Sequence, residues 1–166
     1  MKAKSFAGMR CSIAGALELI GDRWALLVIR DLSFGLSRYD DLRASTGIPA
    51  ATLAARLKHL AETGIVERMR YQDRPPRYEY RLTAKGRDLW PVTVALREWG
   101  DRWDASGIGV PSVLTVDRLT GRPLSLALVE AETGRQVSLD RVALIPGPGA
   151  DESTRLLLSA ADQAME

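Results

Sequence analysis

The sequence predicts an α+β fold: short helices carrying a two-stranded hairpin, then a long apolar helix and a small β-hairpin appendage. Three observations predict it. Past the turn residues Thr46-Gly47, Pro49 opens a helix in which Leu53, Leu57, Leu60 and Ala61 recur at i, i+4, i+7 and i+8, one apolar face. After Gly64, Ile65 to Tyr71 has a strand pattern, Gln72-Asp73-Arg74-Pro75-Pro76 cannot continue a strand, and Arg77 to Leu82 alternates again, which reads as a hairpin. Finally Leu89, Val92, Leu96, Trp99 and Trp103 fall at i, i+3, i+7, i+10 and i+14, the stripe of a long helix. Helix, turn, helix, hairpin, helix is the order of a winged helix-turn-helix.

Taken in order, residues 1–10 read as a flexible, mildly basic N-terminus. Cys11 and Ser12 start a first helix with Ile13, Leu17 and Ile20 on its apolar stripe, and Gly21 ends it. Asp22 caps a second helix that is apolar almost all round, through Trp24, Leu27, Val28 and Leu32, and so belongs at the centre of the core. Ser37 or Arg38 leads into a short helix from Tyr39 to Ser45, Thr46-Gly47 makes the turn, and Pro49 to Thr63 is the second helix of the pair. Thr83 caps a long helix expected to run to about Ala105, with Pro91 early enough to be tolerated with a bend. The predicted units are therefore 11–105, a winged-helix unit for DNA binding and dimerisation, 106–150, the appendage, and 151–166, a tail with a helical turn or two around Leu156-Leu157-Leu158. Within the appendage, Asp117 to Leu126 is echoed thirteen residues later by Glu130 to Leu139, each unit reading strand, Thr-Gly turn, strand.

Charge locates a surface. Between residues 43 and 87 there are ten basic and four acidic side chains, whereas the whole chain carries only +2. A local basic excess on a helix and hairpin is where a phosphate-contacting surface should have it. The helix after Pro49 has a small-sided outer face, with Ala50, Ala51, Thr52, Ala54, Ala55, Lys58 and His59 able to approach base edges in a major groove. Arg56, beside the core stripe, either braces the helix or touches phosphate. On the hairpin, Arg74 at the tip suits the minor groove, and Arg68, Arg70 and Arg77 suit phosphates. The expected partner is a double-stranded DNA operator.

A two-layer winged unit cannot bury the whole stripe of the long helix. Leu89, Val92, Leu96, Trp99 and Trp103, with Ile13 and Leu17 of the first helix, are therefore the candidate homodimer seam; the competing reading is that the stripe packs on the chain's own appendage. Cys11 stands at a helix N-terminus beside Arg10, a setting that favours a thiolate and makes it a candidate redox or electrophile sensor; the competing role is a small packing residue.

Other classes fare poorly. One cysteine allows no intramolecular disulfide, and a reducing, cytoplasmic location is the expectation. No apolar run approaches a membrane span, and no signal peptide is read. A single His, no Ser/His/Asp set and no Gly-rich phosphate loop argue against an enzyme, and no cofactor is expected. The non-enzymatic alternative is a winged-helix protein-interaction module without specific DNA binding, against which the basic run speaks.

The chain resembles the HxlR family of winged-helix transcriptional regulators, relatives of the MarR group. The resemblance is carried by Cys11-Ser12-Ile13-Ala14, Ile20-Gly21-Asp22-Arg23-Trp24, Leu27 to Leu32, Tyr39-Asp40-Asp41-Leu42-Arg43, Leu53-Ala54-Ala55-Arg56-Leu57, Gly64-Ile65-Val66, Pro75 to Tyr80 and Leu82-Thr83-Ala84-Lys85-Gly86, in this order and at these spacings. It implies a homodimer that binds an operator with two reading helices and two wings, represses or activates transcription, and answers to an oxidant, an electrophile or a small ligand, in some members through the position of Cys11. Two departures stand out. Ala55 replaces a second basic residue often found before the position of Arg56, and Ser12 replaces a proline after the cysteine. The appendage resembles a degenerate zinc ribbon in which Thr120-Gly121 and Thr133-Gly134 stand where relatives have Cys-Gly knuckles; without soft ligands, no metal is expected there.

Overall fold

A computed structural model describes residues 5–163 and has the mixed α+β architecture of a winged helix, with two small antiparallel sheets. The expectations for residues 1–4 and 164–166 lie outside the described residues. Four helices come first: α1 (Ser12–Ile20), α2 (Ala25–Ser33), α3 (Tyr39–Thr46) and α4 (Ala50–Glu62). The hairpin β1 (Val66–Gln72) and β2 (Arg77–Leu82) follows, then α5 (Ala84–Arg87) and α6 (Trp90–Arg102).

The core is the one the periodicities pick out. Leu53, Leu57 and Leu60 of α4 meet Val28 and Ile29 of α2, Leu42 of α3, and Ile48, Ile65 and Val66, all essentially inaccessible to water. Burying each aliphatic side chain contributes about 1.5–3 kcal/mol, so α4 is fixed by its inner leucines and leaves its other face free. Asp22 stands two residues further from α2 than a conventional cap: its carboxylate accepts from Trp24 N (2.9 Å), its carbonyl from Ala25 N (3.0 Å), and the helix starts only at Ala25. α2 also buries Asp31, a charge the apolar reading of that helix did not foresee.

The hairpin pairs Val66 with Leu82, Arg68 with Tyr80 and Arg70 with Tyr78, and a register shift between Arg70 and Gln72 marks a bulge at the tip. A third chain segment joins it. Tyr80 N donates to Ser37 O (2.7 Å) and Arg38 bridges Glu79, so the start of α3 is tied to the sheet.

The long helix expected from Thr83 to Ala105 is broken. Thr83 does cap its start, with Oγ1 accepting from Gly86 N at 3.1 Å and donating to Gly64 O at 2.6 Å. But α5 ends at Arg87 and α6 begins at Trp90. Pro91 has no N–H to offer the Arg87 carbonyl four residues back, and its ring collides with that carbonyl in a continuous helix. Gly86 is pressed onto the end of the preceding helix-strand corner: a Cβ there would sit 2.2 Å from Ile65 O. α6 then ends at Arg102, short of Ala105.

Residues 106–150 form loops with little ladder. The first repeat has one bridge, Val116 to Pro123, and the second pairs β3 (Leu128–Val129) with β4 (Gln136–Val137). The expected pair of hairpins is thus reduced to two tight loops with short stems, because Pro123 removes a ladder donor from the first. The loops themselves repeat faithfully. Gly121 N donates to Asp117 O and Gly134 N to Glu130 O, at 2.8 and 2.9 Å, and the two glycines have φ of +68° and +69°, a left-handed turn that favours glycine. The tail is more helical than its sequence suggested: α7 spans Glu152–Gln163, capped by Asp151, which accepts from Thr154 N at 2.9 Å.

Candidate nucleic-acid interface

α4 is presented by two anchors. Gly47, with φ +68°, closes α3 in a left-handed turn, and Tyr39 Oη donates to Ala50 O (2.7 Å) across the gap between the two helices. Pro49 is the residue just before α4 rather than in its first turn; its fixed φ of −56° sets the direction of the helix. Ala50, Ala51, Ala54, Ala55 and Lys58 are exposed, and Thr52 and His59 are half-buried at the edge. The outward face is therefore small-sided and carries the cation of Lys58, which lies 3.7 Å from Glu62 in an exposed pair that solvent largely screens. Arg56 is half-buried with Nε 3.5 Å from Asp22 Oδ1, so it ties α4 to the α1–α2 corner.

The hairpin arginines divide in the same way. Arg68 lies over the Tyr78 ring, 3.7 Å from its centroid, which holds the guanidinium in place while leaving it exposed. Arg70 folds back on the tip, donating to Gln72 O (3.3 Å) and Asp73 O (2.9 Å) and pairing with the Asp73 carboxylate at 3.2 Å. Arg70 is thus a brace for the turn rather than the open phosphate ligand its sequence position suggested. Arg74 and Arg77 are exposed. Behind them, burial pushes the Tyr80 phenol pKa up against a lesser opposing pull from Arg68.

One basic residue escaped the sequence reading. Arg38, at the start of α3, lies over the ring of Tyr71 of β1, 5.2 Å from its centroid. Arg38, Tyr71, Arg77 and Tyr78 line a cleft of about 460 Å³ between α3 and the hairpin, together with the carboxylates of Asp40 and Asp41. Nothing in local spacing joins positions 38 and 71; a β bridge that only the folded chain makes brings them together.

The apolar stripe of α6 is largely uncovered. Ile13 (72% exposed), Leu17, Val92, Leu96, Trp99 and Trp103 (68% exposed) all face water in the single chain. Leu89 departs from this set: the break before α6 turns it inward, where it packs on the chain's own core. Cys11 is exposed and immediately precedes α1. Close by, Phe6 N and Ser5 Oγ both donate to the Glu18 carboxylate, which holds its pKa below the usual carboxylate range and fastens residues 5–6 to α1. Among the described residues there is no cluster of three or more His, Cys, Asp or Glu side chains fit to hold a metal, and no helix is long and apolar enough to cross a membrane.

Comparison with known proteins agrees with this geometry. Residues 19–107 match the family described as HxlR-like helix-turn-helix. Mb3122 of Mycobacterium bovis, an uncharacterised HTH-type transcriptional regulator, is 39% identical over 138 residues, covering 83% of this chain and 87% of its own. Among solved structures, PA1607, crystallised as a candidate transcription factor, superposes with a TM-score of 0.73 at 32% identity, covering 87% of this chain and 100% of that one. The oxidised form of HypR, described as a redox regulator, superposes with a TM-score of 0.52 at 32% identity, covering 55% of this chain and 96% of that one. The chain belongs to the HxlR-like helix-turn-helix family of DNA-binding transcriptional regulators.

Proposed function

We propose that the protein acts as a homodimer that binds a double-stranded operator, with α4 of each protomer in the major groove and the β1–β2 wing on the flanking backbone. The observation that carries this reading is the exposed, small-sided face of α4, Ala51, Ala54, Ala55 and Lys58, set beside a wing with exposed Arg68, Arg74 and Arg77. Alanines allow the helix backbone to approach base edges, and the arginines supply the sequence-independent part of the affinity. Pro49, Ala50, Thr52 and His59 complete the reading surface. Arg56 and Arg70 position it, and Arg38 joins the phosphate contacts. Residues 11–105 carry both tasks. Residues 106–150 are read as a metal-free counterpart of a paired-knuckle ribbon, with Thr120 and Thr133 in place of thiolates.

Ile13, Leu17, Val92, Leu96, Trp99 and Trp103 form the seam between protomers in this reading. An uncovered stripe with two tryptophans is costly to leave in water, and a second copy is the occupant that a two-fold operator requires. The seam also gives a route for an inducer. Cys11 precedes α1, so its oxidation or alkylation adds bulk at the seam and changes the separation of the two reading helices; the likeness to HypR supports a redox response.

The test is binding of a selected operator and of random DNA across a salt series. Lys58→Ala is expected to weaken both and to lower the salt slope by about one unit. A Lys58→Ala protein that changes sequence preference at an unaltered slope would mean that Lys58 reads bases. Sedimentation of Trp103→Arg is expected to show loss of dimer, because the new charge cannot be desolvated cheaply; a folded, dimeric variant would remove Trp103 from the seam. No binding to either DNA would favour the protein-interaction reading.

A further inference from the structure

The wing is anchored at its base and stands free beyond it. Val66 is buried, and Tyr80 and Leu82 pack against the core, but on β1 every residue from Glu67 to Tyr71 is exposed. A cleft of about 460 Å³ separates this outer half from α3. A hairpin held by its base alone would be free to swing into that space. About five residues of strand reach about 17 Å, at about 3.3 Å each. A swing of about 10° therefore moves the tip by about 3 Å, close to the roughly 3.4 Å axial step between successive phosphates of one strand. The angle of the wing decides which phosphates Arg74 and Arg77 meet once α4 is seated.

Two successive residues at the start of α3 span the gap in opposite directions. Arg38 reaches the wing: its guanidinium lies over the Tyr71 ring, 5.2 Å from the centroid, next to the bulge at the tip. Tyr39 reaches the reading helix: its Oη donates to Ala50 O, at the start of α4, at 2.7 Å. The backbone beside them is held by Tyr80 N donating to Ser37 O (2.7 Å) and by the β bridge between Arg38 and Glu79. Wing and reading helix are thus joined in series through one dipeptide. Core packing does not account for these contacts. The Tyr39 ring packs against the core, which a phenylalanine would do as well, so its hydroxyl serves the link to Ala50. Tyr71 is exposed, so its ring adds little burial.

We propose that Arg38, Tyr39 and Tyr71 set the angle between the wing and α4, and that this angle gives selectivity for an operator over other DNA. Random DNA offers phosphates at any wing angle. An operator fixes α4 by its bases and so needs the wing at one angle. Tyr39 and Tyr71 are positioning residues that do not touch DNA. Arg38 stacks through its flat face, which leaves its N–H edge for phosphate. The cleft is balanced in charge, Asp40 and Asp41 against Arg38 and Arg77, so α3 neither draws in nor repels the basic wing strongly and the stack decides its position. The selectivity rests on the DNA-binding function proposed above; the linkage itself does not.

The experiment uses the full chain, with affinities for the selected operator and for random DNA over a salt series, and amide exchange of the free protein. Tyr71→Leu keeps apolar bulk and removes the ring face. It is expected to weaken operator binding about two- to fivefold, the worth of one exposed cation–π contact, with random-DNA affinity and the salt slope unchanged. Tyr71→Phe, which keeps the ring face, is expected to match the parent. Tyr39→Phe is expected to cost a similar factor, the worth of one hydrogen bond. Because the two contacts act in series, the double variant Tyr39→Phe/Tyr71→Leu should lose little more than either alone, whereas independent losses multiply. In the free protein, exchange at the Tyr80 amide should quicken in Tyr71→Leu while the Leu57 amide stays protected. Equal losses on operator and random DNA would make Tyr71 an ordinary DNA contact and sink the proposal. Multiplying losses, or a Tyr71→Phe protein that behaves as Tyr71→Leu, would overturn the linkage. A parent that does not distinguish operator from random DNA fails the DNA-binding function instead; exchange at Tyr80 then decides the linkage, and an unchanged rate in Tyr71→Leu overturns it.

Discussion

Residues 12–102 and residues 106–150 are held together by different physics. In the first stretch, a set of leucines, isoleucines and valines is shut off from water and fixes α2, α3 and α4, although the stripe of α6 stays largely uncovered. In the second, no residue is buried; Leu119, for example, is 94% exposed. Its order comes instead from two copies of one loop. Asp117 accepts from Thr120 N and Oγ1 at 2.7 and 2.9 Å, and Glu130 accepts from Thr133 Oγ1 at 2.6 Å and from Arg135. Two hydrogen bonds help to fasten this region to α6: Arg97 to Thr115, and Leu126 N to Glu98 Oε1 at 3.3 Å. A hydrophobic periodicity therefore reports burial in one part of the chain, whereas a sequence repeat reports only local loop closure in the other.

The comparison can be broken most severely in the core. Leu57→Ala is expected to lower global stability by about 2–5 kcal/mol, because it opens a cavity at a fully enclosed site. Leu119→Ala in the appendage is expected to do almost nothing. Urea unfolding of the two variants measures the contrast, and similar losses would show that the appendage has a core of its own. Gly86→Ala comes next. Its Cβ would meet Ile65 O at 2.2 Å, so α5 must move off the α4–β1 corner, at about 1–3 kcal/mol. A stability within error of the parent would show that this close approach relaxes freely.

The smallest effect is the acid response, and in these loops it should appear without a matching loss in α4. Hydrogen bonds, chiefly from Thr120 to Asp117 and from Arg135 to Glu130, hold both carboxyls below their usual pKa. A lowered folded-state pKa contributes stability above the ordinary carboxylate range and loses it as pH falls through the lowered value. Hydrogen exchange at the Gly121 and Gly134 amides should therefore quicken as pH falls below the ordinary carboxylate range, relative to the intrinsic rate, while amides of α4 stay protected. Loss of protection in α4 at the same pH would mean that the two regions unfold as one.

By itself, the sequence determined the elements whose formation is local or periodic. The leucine spacing of α4, the proline-rich turn between β1 and β2, the Thr83 cap and the Thr-Gly loops were all legible, because each depends on residues a few positions apart. It also marked which face of α4 is small-sided, since burial of Leu53, Leu57 and Leu60 leaves that face no other direction. Tertiary structure alone decided the rest. The break before Trp90 was underestimated because the cost of Pro91 depends on where the helix must bend to leave the core. That Arg56 and Arg70 are braces while Arg68 stays open depends on which acceptor or ring lies within reach, Asp22, the wing turn or Tyr78. Arg38 meets Tyr71 across a separation that no periodicity spans. Side-chain partners at long range are set by how the elements pack, and packing is a property of the whole core rather than of any one stretch of it.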